Sequence, residues 1–371
     1  MRKSVLVAVA LNAAVLYSGA FGPATPLTPE PTMGTQQVPA IALPGSGIVA
    51  LWRDQATHFG FAVVPPIAGD DVLDPVPYRD AAAAALGSES YVIWVENDWL
   101  YGFVTDAGGA ARTEPRLLWR VDSRHTTRIA VTASSDRYLV VFNAWSKVMG
   151  ILVDRDGNVL NWTDLIPGGG TRAVDRVAAA SDGEQFLVVW DESSDQPWVN
   201  PCGITCPSAD RTVHAIVVGS DGNPKPATET RLATSAGMPD VSWNGSAFLA
   251  VWALLPNGGI AGRLIPSGST SGASRSLTAT GDFGPRIAWD GSAFDIAVVR
   301  LDDQSVRVDR VSADGTAVSD FSSGPVANVA SARAFALSAS DRTVIVAYES
   351  DGRIVMRRAA VADIRGRAVR H

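Results

Sequence analysis

Two ten-residue segments, Trp243-Asn-Gly-Ser-Ala-Phe-Leu-Ala-Val-Trp252 and Trp289-Asp-Gly-Ser-Ala-Phe-Asp-Ile-Ala-Val298, agree at their first six positions except for Asn against Asp. Weaker copies occur at Ser181-Asp-Gly-Glu-Gln-Phe-Leu-Val-Val-Trp190 and Ser135-Asp-Arg-Tyr-Leu-Val-Val-Phe142, and further ones end at Trp52, Val95 and Tyr348. Aligning Trp52, Val95, Phe142, Trp190, Trp252, Val298 and Tyr348 gives steps of 43, 47, 48, 62, 46 and 50 residues. A recurrent unit of this size, built from short apolar runs and turns, constrains the chain to a repeat architecture.

Within a unit, Asn-Gly or Asp-Gly separates two strands, which predicts a tight hairpin with positive φ in both turn residues. A third strand then reaches a second turn at Asp156-Gly157, Asp221-Gly222 or Asp314-Gly315, and a fourth follows. The runs Phe186-Leu-Val-Val-Trp190 and Phe248-Leu-Ala-Val-Trp252 are apolar on both faces, as for strands sandwiched between sheets. Ala81–Ala85 has helical propensity, but its place in the repeat predicts a strand. The expected fold is therefore all-β, a seven-bladed β-propeller of four-stranded antiparallel blades over residues 36–371. Trp52, Trp190, Trp243, Trp252 and Trp289 are then read as core packing between blades.

The aromatic-Leu-Val-Val-Trp strand after an Asp-Gly turn, followed by a later Asp-Gly turn, resembles the repeats of secreted bacterial β-propeller proteins. The resemblance spans roughly residues 36–371 and implies a fold, since propellers host lectins, hydrolases, lyases and interaction platforms alike. Ser312-Ala-Asp-Gly-Thr316 departs from the sialidase Asp-box, because Gly directly follows Asp and no Trp comes after it.

Arg2 and Lys3 precede an apolar run from Val5 to Tyr17, and Ser18-Gly19-Ala20 supplies small residues at a cleavage point. Residues 1–20 read as a signal peptide, residues 21–35 as a Pro-rich linker, and the product as secreted, extracellular or periplasmic. No later segment is apolar for long enough to span a bilayer. Removing residues 1–20 leaves 29 basic against 38 acidic groups, a formal net charge of −9. Such a chain is not expected to bind nucleic acid. With 46% hydrophobic residues, 19% charged residues and 2 Cys, it is neither an intrinsically disordered chain nor a disulfide scaffold. Cys202 and Cys206 lie five residues apart inclusive, in one loop, and export predicts a local disulfide between them. Neither a metal site nor a cofactor is expected, because no further Cys or His stands at ligand spacing. The Gly168-Gly-Gly170 run lacks the Lys-Ser/Thr of a phosphate loop.

Antiparallel order places the tight turns at one end of the blades and the longer, variable connections at the other, which is where binding groups are expected. The insertion behind the 62-residue step, Ser193–Asp210, belongs to that face. Residues just past each second strand should be displayed there, giving Arg53, Glu96, Asn143, Trp145, Asp191, Trp198 and Glu349 as candidate ligand-binding residues. Trp145 and Trp198 suit stacking on a sugar ring. The expectation is a monomeric binding or scaffold module for a glycan, peptide or protein partner, with no catalytic residue assigned. The alternative is an extracellular polysaccharide hydrolase or lyase using carboxylates such as Glu96, Asp191 and Glu349 in the propeller funnel.

Overall fold

The computed structural model describes residues 21, 25–26, 36–42, 49–54 and 59–63, and residues 80–360 apart from 97, 107–109, 122–127, 145, 167–172, 194–209, 279, 323–324, 329–334, 341–342 and 351–352. Within these, strand follows strand. After β1 (Thr25–Pro26) comes a three-stranded sheet of β2 (Gln36–Ala42), β3 (Val49–Asp54) and β4 (Phe59–Val63). The next sheet holds β5 (Ala81–Leu86), β6 (Glu89–Glu96), β7 (Trp99–Thr105) and β8 (Arg116–Arg120); then come β9 (Ile129–Ala133), β10 (Arg137–Ala144), β11 (Lys147–Asp154) and β12 (Val159–Ile166). The fourth has β13 (Ala173–Ser181), β14 (Phe186–Ser193), β15 (Arg211–Val218) and β16 (Thr230–Thr234), and the fifth β17 (Ala236–Trp243), β18 (Ala247–Leu254), β19 (Ile260–Pro266) and β20 (Ser274–Ser276). In the sixth, β21 (Asp282–Trp289), β22 (Ala293–Arg300), β23 (Ser305–Ser312) and β24 (Ala317–Ser322) are joined by β25 (Ala327–Asn328), which also pairs with β23. The last contains β26 (Phe335–Ala339), β27 (Thr343–Ser350) and β28 (Arg353–Ala360), completed by β1.

The expectation of seven four-stranded blades is thereby corrected to six blades. Among the described residues six sheets are complete blades, of four strands or more, and the β2–β4 sheet has three strands. The recurrent sequence marks only the inner hairpin of a unit, whose burial on both faces demands a fixed apolar pattern. An outer strand is half solvated and carries no such pattern, so its presence cannot be counted from the repeat. Closure is also settled here: Thr25 pairs with Met356 and Pro26 with Val355, so the N-terminal side completes the last sheet.

The first strands of successive sheets adjoin one another around a common axis, β2 meeting β5 on one side and β26 on the other. The core lies between blades, not within them. Each apolar cluster joins two adjacent sheets, as where Leu187, Val189 and Val213 meet Phe248, Ala250 and Trp252. Tyr91 stacks on Tyr138 of the next blade at 5.1 Å between ring centroids. Trp190 and Trp252 are fully buried, and Trp243 and Trp289 pack against Phe248 and Phe294 at 4.6 and 4.9 Å. Each such aromatic contributes roughly 1.5–3 kcal/mol by burial, enough to explain why the repeat preserves them. Ala81–Leu86 is a strand, so the repeat overrules helical propensity.

The hairpin turns differ from expectation. Gly245 and Gly291 have φ of 92° and 89°, whereas Asn244 and Asp290 are not among the residues with positive φ. The loop has three residues, and the Asn244 side chain holds it by accepting the N–H of Ser246 at 2.8 Å and of Ala247 at 2.7 Å. An Asx-type cap replaces the two-residue primed turn, which explains why Asn and Asp interchange at this position.

Candidate functional site

Each innermost strand begins where the chain arrives from the previous blade, at the end that also carries the connections after β6, β10, β14, β18 and β22. Five of these strands bring a charged residue to the axis: Asp80 and Arg128 just before β5 and β9, Asp175 and Arg176 within β13, Asp240 within β17 and Arg286 within β21. Together with Met238 and the alanines of β5, β9 and β13 they line one cavity of about 240 Å³. Small residues at the strand starts leave the space that the larger side chains ring.

The carboxylates are already committed. Asp80 accepts the N–H of Ala81 and, across the blade boundary, that of Ile129, each at 3.1 Å, and lies 4.0 Å from the Arg128 guanidinium. Asp240 accepts the N–H of Val241 at 2.9 Å and, in the next blade, that of Ile287 at 3.2 Å. Burial pushes its carboxyl up to about 6, opposed by Arg176 and the two amide donors. Asp175 pairs with Arg211 at 2.8 Å.

Two guanidinium groups are not committed in this way. Arg286 donates to the Pro285 carbonyl at 3.3 Å and sits 5.7 Å from the centre of the Phe335 ring, without an ion pair among the described residues. Arg176 has neither a side-chain hydrogen bond nor a carboxylate within 4.0 Å among the described residues. Burial lowers its pKa from the ordinary arginine value, and the fields of Asp240 and Asp191 oppose that. An arginine remains charged under any physiological condition. The cavity therefore offers donors where its acceptors are spent, an arrangement suited to taking up an anionic or carbonyl-rich group.

The residues singled out from the sequence lie elsewhere. Asn143 and Asp191 are buried at 3% and 0% exposure and act between blades. Asn143 accepts the N–H of Arg128 and donates to the Val174 carbonyl at 2.7 Å. Asp191 accepts from Arg176 N–H and Met238 N–H, each at 2.8 Å, and from Arg211 at 3.1 Å. Glu96 ends β6 half-buried and accepts the indole N–H of Trp94 at 3.4 Å. Arg53 is placed by its backbone in β3 opposite Gln37 and Phe59, and Glu349 in β27 opposite Ile354. Trp145, Trp198, Cys202 and Cys206 lie outside the described residues, as do residues 1–20. The axial residues were missed, although a signal exists: Arg128-Ile-Ala, Arg176-Val-Ala, Asp240-Val-Ser and Arg286-Ile-Ala repeat a charge immediately before a short apolar step.

No family model and no curated protein matches the chain. Solved structures do. One titled as the hydrazine synthase of Kuenenia stuttgartiensis aligns at TM-score 0.56 and 13% identity, over 89% of this chain and 97% of that one. The β-propeller domain of the trilobed protease from Pyrococcus furiosus aligns at TM-score 0.53 and 10% identity, over 88% and 94%. The fold is a β-propeller. A prolyl endopeptidase structure also aligns, at TM-score 0.49 and 15% identity, and the propeller chain spans 47% of its length. At these identities the likeness concerns architecture alone. No helix among the described residues is long and apolar enough to cross a membrane.

Proposed function

We propose that the protein is a binding or scaffold module, exported and monomeric, that receives a group of its partner in the axial cavity on the long-connection face. The observation that carries this reading is the donor-rich cavity itself: it is formed by strands from five blades, and Arg176 and Arg286 line it without ion-pair partners among the described residues. A pocket assembled from rigid strand ends is pre-organised, so little ordering entropy opposes binding. The N-terminal pattern of Arg2, Lys3 and the apolar run supports export.

One observation favours the hydrolase or lyase alternative, the raised carboxyl of Asp240 beside the cavity. Against it, both oxygens of Asp240 accept backbone N–H groups, and Asp191 is enclosed. The test is a binding screen of the mature protein against glycan and peptide arrays beside an Ala130→Trp variant that fills the cavity. Loss of the captured ligands in the variant supports the cavity as the site. Ligands retained equally by both proteins would refute it.

A further inference from the structure

The proposed cavity also indicates which chemical group it takes. We infer that the axial cavity is a receptor for the C-terminal carboxylate of a peptide or protein ending in a small aliphatic residue, clamped by Arg176 and Arg286; this rests on the binding-module reading above.

Three observations converge. First, the ionic balance of the cavity is uneven in availability rather than in number. Asp80 and Asp240 each accept two backbone N–H groups, and Asp175 is taken by Arg211, so the acids are occupied. Arg176 has no such partner among the described residues, and Arg286 has only its own neighbour's carbonyl. A guanidinium has five N–H donors in a planar fork that matches a carboxylate in two-point contact, so these two side chains present unfilled donor geometry.

Second, the other lining residues are mostly short and none is aromatic. Ala82, Ala130, Val131, Val177, Ala178 and Met238 are among them. A sugar acid would need a stacking surface, and no aromatic ring of the cavity provides one. A small terminal side chain such as that of Ala or Val fits beside these short residues, and burying its apolar part adds to affinity.

Third, the space is small: a volume of about 240 Å³ holds a terminal residue rather than a continuing chain. A chain end satisfies both conditions at once, having a carboxylate and nothing beyond it.

The test uses the mature full-length protein and two immobilised peptide libraries of random sequence ending in Ala or Val, one with a free C-terminal acid and one amidated. The free acids should bind, and the amides should bind about tenfold or more weakly, as expected when a charge-assisted two-point contact is lost. Arg286→Gln should reduce binding of the acids to the level of the amides, whereas Arg275→Gln, on the exposed strand β20, should leave it unchanged. Circular dichroism and a thermal melt check each variant, and the acid-to-amide comparison on the unaltered protein needs no variant at all. Equal binding of acids and amides, abolished by Ala130→Trp, would overturn the carboxylate inference while leaving the cavity a binding site. Peptide binding that survives Ala130→Trp would overturn both readings. Absence of binding by either library would overturn the present inference alone, and glycan ligands lost on Ala130→Trp would then show that the cavity serves another group.

Discussion

The carboxylate of Asp191, at the end of β14, accepts the backbone N–H of Met238, at the start of β17, at 2.8 Å across the boundary between two blades. Asp80 stands in the same relation to Ile129, and Asp240 to Ile287. Chain arriving at a new blade leaves an N–H without a partner inside its own sheet, and the preceding blade supplies the acceptor. These acids therefore add polar latches to the apolar clusters between sheets, and they hold the cavity-lining strands at fixed spacing.

Replacing Asp191 by Ala should cost about 3 kcal/mol, because it leaves two buried N–H groups without an acceptor and removes one of the two partners of Arg211. Urea unfolding should show a lower midpoint with an unchanged slope. A midpoint within error of the parent would mean that the latch contributes nothing.

Ligand uptake should tighten on acidification. The Asp240 carboxyl, pushed up to about 6 by burial, is mostly ionised at pH 7 and offsets the charge of Arg176. Protonation between pH 7 and pH 5 removes that negative charge, so a carboxylate ligand competes with one acid fewer. Asp240→Asn should bind at pH 7 as the parent does at pH 5 and show a flattened profile. Calorimetric titration at the two pH values reads the difference.

Asp295 occupies the place of Leu187 and Leu249 in the repeat, fully buried in β22, and neither of its oxygens has a hydrogen-bond partner. Burial raises its carboxyl to about 8, Arg310 opposing and Asp290 reinforcing. Because the folded value lies above the ordinary one near 4, its contribution is most favourable below about pH 4 and is lost as pH rises through 8. Asp295→Leu should therefore stabilise the protein by about 2 kcal/mol at pH 8, and by less at pH 5. Thermal melts of both proteins across this range measure the slope.

Asn244→Ala should destabilise by about 1–2 kcal/mol, since the side chain caps two N–H groups of the β17–β18 turn. Asn244→Asp should cost less than the Ala change, because it keeps the two capping contacts that Asp290 makes in the next blade, to Ser292 N–H at 2.7 Å and Ala293 N–H at 2.8 Å, and loses only the donation of the Asn244 amide to the Ala313 carbonyl. Urea midpoints of the two variants separate capping from propensity.

The inner hairpins were legible from residues alone. Trp243–Trp252 contains its own strands, turn and buried faces within ten positions, so alternation and turn chemistry specify it locally. Asn143 and Asp191 lie near the ends of β10 and β14, where display at the surface was expected, yet they are buried and turn inward to the next blade. Their neighbours Val174 and Met238 are 31 and 47 positions away, and nothing local announces such a meeting.

Side-chain periodicity over a few residues is enough to specify the repeated strand-turn-strand unit and the aromatic wedge between sheets. Tertiary structure alone decided that β1 completes the last sheet, that six blades are complete and one sheet has three strands, and which charged groups latch and which line the axis. Those outcomes depend on how curved sheets close around an axis, where residues more than a hundred positions apart, such as Asp80 and Arg286, come to line one cavity.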